Sequence, residues 1–75
     1  MSEPDLVAEL CEALRGDGWE PATRKTEEGI WVAECLRVCQ SCGRTEYSMA
    51  QGPTEAAALE ELAVACGVWP AKEGG

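Results

Sequence analysis

Residues 30–50 decide the fold: Ile30-Trp31-Val32-Ala33-Glu34-Cys35-Leu36-Arg37-Val38, then Cys39-Gln40-Ser41-Cys42-Gly43, then Arg44-Thr45-Glu46-Tyr47-Ser48-Met49-Ala50. Side chains alternate across an extended strand. Ile30, Val32, Leu36 and Val38 therefore share one face, with Glu34 as the exception, and Trp31, Ala33, Cys35 and Arg37 share the other. Apolar groups on both faces predict a central strand. Residues 39–43 read as a turn, and 44–50 as a strand returning against the first, with Thr45, Tyr47 and Met49 on one face. Alternation alone leaves open which face of the central strand meets the rest of the molecule.

On the N-terminal side, residues 19–26 are polar and moderately β-prone, which predicts an edge strand, and Glu27-Glu28-Gly29 reads as a turn. Before them, Leu6, Val7, Leu10, Cys11 and Leu14 recur at spacings of three and four, the stripe of a helix over residues 3–15. Ser2 is its predicted cap, Pro4 sits in the first turn, and Gly16 and Gly18 stop it. On the C-terminal side, Gly52-Pro53 opens a helix over 53–66, with Pro53 at or near the first helical position and Thr54 as the rival cap. Ala58, Leu59, Leu62, Ala63 and Cys66 form its stripe. Gly67 is the expected C-cap, Val68 folds back on the last turn, and Trp69-Pro70 seals the core edge. The economical arrangement is α+β: α-β-β-β-α, an antiparallel three-stranded sheet with two helices packed on one face. Residues 1–70 form this single domain, and 71–75 read as a flexible tail.

No apolar run approaches the length of a membrane span. Met1-Ser2-Glu3-Pro4-Asp5 is acidic and lacks the basic and apolar regions of a signal peptide, so a cytoplasmic setting is expected.

Charge is distributed unevenly. The chain carries a net charge of −8. Residues 3–14 hold Glu3, Asp5, Glu9 and Glu12, residues 53–66 hold Glu55, Glu60 and Glu61, and neither stretch contains Lys or Arg. In residues 21–51, Glu27, Glu28, Glu34 and Glu46 balance Arg24, Lys25, Arg37 and Arg44. An acidic helical layer on a neutral sheet repels nucleic acid and membrane surfaces and attracts basic protein surfaces. Glu9, Glu12, Glu60, Glu61 and Glu55 are the candidate partner-binding residues. Trp31 and Tyr47 are expected on an open sheet face too apolar to stay wet, which points to a homodimer through that face.

The five cysteines are Cys11, Cys35, Cys39, Cys42 and Cys66. An odd count without a secretion signal argues for reduced thiols or a metal rather than a disulfide framework. Cys39-x-x-Cys42-Gly43 has the spacing of a zinc knuckle, so Cys39 and Cys42 are candidate metal ligands. Zinc takes four ligands, and a second such pair and any His are absent. Cys35 lies four positions earlier on an extended strand, and Cys11 and Cys66 belong to the helix stripes, where they could meet. Four readings stay open: two exposed thiols in a turn, zinc held within one chain, an intermolecular site that a second chain completes, and a redox pair. A redox pair normally sits at a helix N-terminus, which a hairpin does not provide. No cofactor is otherwise expected. The carboxylates lie on solvated helix faces, and acid-base pairs need a cleft that separates their pKa values. No catalytic residues are assigned, and the chain is read as non-enzymatic.

The helix-strand-strand-strand-helix order, with Gly52-Pro53-Thr54-Glu55-Ala56-Ala57-Ala58 leading into an Ala-rich helix, resembles the double-stranded RNA-binding domain. That family grips phosphates with a basic cluster at the start of this helix. The matching residues here are Thr54 and Glu55, so the resemblance implies the topology without the RNA function. Ile30-Trp31-Val32-Ala33 together with Pro53 to Ala57 is similar to a class of small bacteriophage helix-sheet-helix sandwich proteins, which implies a phage or prophage origin. Small acidic proteins of that kind include anti-CRISPR proteins and inhibitors of host RNA polymerase, some of which mimic the charge of DNA. The functional expectation is an acidic module that blocks a basic nucleic-acid-binding surface of a host protein. Its alternatives are a structural zinc-knuckle protein and a divergent nucleic-acid binder using Arg24, Lys25, Arg37 and Arg44.

Overall fold

The computed structural model describes residues 2–69; the expected tail and Pro70 lie outside the described residues. The chain runs α1 (Glu3–Gly16), β1 (Glu20–Lys25), β2 (Trp31–Val38), β3 (Thr45–Gly52) and α2 (Glu55–Ala65), and the strands form one antiparallel sheet in the order β1-β2-β3. This is the α-β-β-β-α fold read from the sequence. β2 is the central strand, and Pro21 sits on edge strand β1, where a missing ladder donor is tolerated.

The register settles which face of β2 is covered. Thr23, Ala33 and Ala50 stand in one cross-strand row, and Pro21, Cys35 and Ser48 in the next, beneath the helices. Ala33 and Cys35 are buried there against Leu10, Leu14, Leu59 and Leu62. Small side chains at the sheet centre let α2 lie close across β2 and β3, while α1 packs against α2 and reaches the sheet at β1. Each of the four leucines is fully buried and contributes about 1.5–3 kcal/mol of apolar transfer. Trp31 packs against this core on the helix side, which corrects the expectation that it stands with Tyr47 on the open face. The open face instead carries Leu36, Val38, Tyr47 and Met49, each about half exposed.

Closest approach occurs at Gly52, where a Cβ would stand 2.7 Å from the Ala58 nitrogen and 3.0 Å from the Ala57 carbonyl carbon. Thr54, not Pro53, opens α2: its hydroxyl accepts the Ala57 N–H at 3.1 Å, so Pro53 precedes the helix rather than beginning it. Ser2 occupies the cap position of α1 but its hydroxyl donates to Asp5 Oδ2 at 2.9 Å, so the side-chain cap bond expected there is not made. Helix α2 ends as anticipated. Gly67 takes φ +78°, and the Val68 N–H folds back onto the Ala63 carbonyl at 3.0 Å. Trp69 packs against the core edge.

Polar contacts tie the elements together as well. Ala56 N–H donates to Glu3 Oε2 at 3.3 Å, which places a carboxylate of α1 on the N-terminus of α2, where the helix dipole favours negative charge. Arg37 lies 4.5 Å over the Trp19 ring and pairs with Asp17 at 2.9 Å and Glu46 at 2.7 Å.

Candidate functional site

Glu9, Glu12, Glu60 and Glu61 are all exposed, and among the described residues none of them forms an ion pair. On α1, Asp5, Glu9 and Glu12 fall on the side opposite Leu10 and Leu14, so the buried leucines themselves turn the acidic stripe outward. On α2, burial of Leu59, Leu62 and Ala63 does the same for Glu60 and Glu61, with Val64, 52% exposed, between them. Two features differ from the expected layer. Arg15 falls inside the last turn of α1, so the helices carry one base. Glu55 is half-buried, and its carboxylate accepts the Thr23 hydroxyl at 2.7 Å, which holds it inward from the other four.

Glu3 and Glu55 share a cleft of about 370 Å³ with Pro4, Val7, Trp31 and Thr54, formed where the two helix N-termini meet above β2. Both carboxylates are already engaged, Glu3 with the Ala56 N–H and Glu55 with Thr23, so their local work is to fix the helix starts.

The four sheet-side bases do not make one surface. Arg24 stands opposite Val32 on the open face, Lys25 opposite Trp31 and Arg37 opposite Glu46 on the helix side, where carboxylates hold Arg37, and Arg44 stands in the β2–β3 turn. The basic strand face on which a nucleic-acid reading rests is thus divided between two sides of the sheet. The open face is nearly neutral. Tyr47 donates to Glu34 Oε1 at 2.8 Å, and that bond raises the phenol above its ordinary pKa.

The thiols divide into two environments. Cys35 and Cys66 touch, Sγ to Sγ 3.6 Å, so Cys66 meets the strand rather than Cys11. Burial and the neighbouring Cys66 thiol push Cys35 up to about 12. Burial also raises Cys11. Cys39 behaves oppositely: the Ser41 hydroxyl, the Cys42 thiol and the backbone N–H groups of Cys42 and Ser41 lower it to about 6. The turn provides no helix dipole; the Ser41 hydroxyl, 3.3 Å from Cys39 Sγ, is the first cause of the lowering. Gly43, at φ +74°, is the sequence signal for that tight turn. Cys39 is half-buried and Cys42 exposed, beside Arg44, Thr45 and Glu46.

Among the described residues no helix is long and apolar enough to cross a membrane. No protein-family model, curated protein or solved structure matches this chain.

Proposed function

We propose that the protein is a non-enzymatic binding module whose acidic helical layer docks on a basic, nucleic-acid-binding surface of another protein and blocks it. The observation that carries this reading is the set Glu9, Glu12, Glu60 and Glu61, all exposed and none of them in an ion pair among the described residues. A carboxylate without an internal partner keeps its field for an external one, and aligned fields speed association. The most specific form of the reading is a phage-encoded inhibitor of the anti-CRISPR or transcription-inhibitor type, acting in the host cytoplasm, which rests on the short sequence resemblance described above.

The test is capture from host lysate by tagged protein at low and high salt, with a Glu9→Gln/Glu12→Gln/Glu60→Gln/Glu61→Gln variant alongside. A basic nucleic-acid-processing protein retained at low salt, released at high salt and lost in the variant supports the reading. Equal retention in all three conditions contradicts it.

The outer sheet face supports a second contact. Leu36, Val38, Tyr47 and Met49 form an apolar, nearly neutral surface on a chain of net charge −8, so a second copy can approach there with little repulsion. Concentration-dependent sedimentation, abolished by Leu36→Glu, is the expected result.

A further inference from the structure

The β2–β3 turn is organised around one sulfur. Cys39 N–H donates to the Arg44 carbonyl at 2.8 Å, and Gly43 N–H donates to the Cys39 carbonyl at 2.8 Å. Gly43, in the left-handed region, reverses the chain directly after Cys42. The result leaves Cys39 Sγ facing Ser41 Oγ at 3.3 Å, and Cys39 and Cys42 line one pocket together. A hydroxyl on one sulfur, with a second cysteine lining the same pocket of a glycine-reversed turn, is the arrangement one half of a metal-thiolate site needs, because an outer partner fixes the direction of its ligand. The fold makes no other use of the pair, since Gln40 to Arg44 are all exposed and Cys39 and Cys42 are outside the hydrophobic core.

One chain supplies only half of a metal site. Among the described residues no cluster of three or more His, Cys, Asp or Glu could hold an ion. Cys11 packs on the core, Cys35 and Cys66 contact each other, and the neighbouring Glu46 carboxylate is held by Arg37 at 2.7 Å. Structural zinc takes four ligands in a tetrahedron, and two-fold symmetry supplies the same pair again from a second chain. The turn projects past the strand ends, where a second turn can meet it. Four thiolates around a divalent zinc leave a net negative charge, which Arg44 of each copy, lining the same pocket, offsets.

We propose that Cys39 and Cys42 are half of a tetrathiolate zinc site that two copies of this chain complete at their β2–β3 turns. Binding releases the remaining thiol protons to solvent and moves no electrons. The site is independent of the acidic helical layer, and the four-glutamine variant described above binds zinc as the natural sequence does.

The experiment is a titration of the reduced, metal-free full chain with zinc chloride, following metal content and molecular mass together. The expected result is about one zinc per two chains, with a doubling of mass in the Leu36→Glu chain, whose open sheet face no longer associates, both reversed by chelator. Cobalt in place of zinc gives the visible bands of a tetrahedral site and sulfur-to-metal charge transfer with the intensity of four thiolates. Cys39→Ser and Cys42→Ser each abolish uptake and the mass change while the far-ultraviolet circular dichroism stays that of the natural chain. Leu36→Glu, which disables the open sheet face, leaves the zinc stoichiometry unchanged. Zinc bound to a monomer, no uptake at micromolar zinc, or uptake that survives Cys42→Ser overturns the proposal.

Discussion

Replacing Gly52 by alanine sets a single methyl group against the backbone of α2. The added Cβ would lie 2.7 Å from the Ala58 nitrogen and 3.0 Å from both the Ala57 carbonyl carbon and the Ala57 Cβ, where ordinary contacts begin near 3.4 Å. The opposing atoms belong mostly to helix backbone, so no side chain can swing aside; either the end of β3 or the first turn of α2 must move. Overpacking of this kind costs about 1–3 kcal/mol. Loss of glycine's freedom in the unfolded chain returns about 0.4–1 kcal/mol, and the midpoints of the two ranges leave a net loss of roughly 1.3 kcal/mol. For a domain this small each kcal/mol shifts Tm by roughly 4–8 °C. Gly16→Ala is the control, because nothing lies within 4 Å of its added Cβ and its φ is not positive. That substitution is expected to be neutral or stabilising by up to about 1 kcal/mol. Urea unfolding followed by tryptophan fluorescence reads both variants. A Gly52→Ala protein as stable as the natural sequence, or a Gly16→Ala protein that loses more, would refute the packing argument.

Leu59 is fully buried in the core, and Leu59→Ala costs about 2–5 kcal/mol, enough to unfold much of a marginally stable domain at 37 °C and visible as lost near-ultraviolet circular dichroism. Thr54→Ala removes the hydroxyl that accepts the Ala57 N–H and costs about 1 kcal/mol in the same urea assay, whereas Thr54→Ser retains most of it. Cys39, lowered to about 6, is a thiolate at neutral pH; its alkylation by iodoacetamide is expected to reach half its plateau rate near that pH and to fall as pH drops below it. Cys11 and Cys35, both raised, stay slow under the same conditions, which peptide mass mapping of the alkylated sites checks.

Element order was legible because each element carries its own period: stripes of three and four in α1 and α2, alternation in β2, and glycine at the breaks. The covered face of β2 was not legible, since apolar residues occupy both sides. It was settled by size: Ala33 and Cys35 leave room for α2, which Leu36 and Val38 would not, and Trp31 packs at the margin of the core rather than under its centre. The meeting of Cys66 with Cys35 rather than Cys11 depends on where the C-terminus of α2 crosses the sheet, which no local pattern encodes. Exposure of Glu9, Glu12, Glu60 and Glu61 followed directly from the buried stripes. The inward hold on Glu55 came from Thr23, 32 positions away in the chain, and the lowered pKa of Cys39 came first from the Ser41 hydroxyl, whose place beside the sulfur only the folded turn reveals.

Docking through the acidic helical layer is read from the association rate of the chain with its captured basic partner as ionic strength is raised. The expected rate falls steeply as salt screens the exposed carboxylates, and the four-glutamine variant associates slowly at every salt concentration. A rate that stays flat from low to high salt, or a variant that associates as fast as the natural sequence, would contradict it.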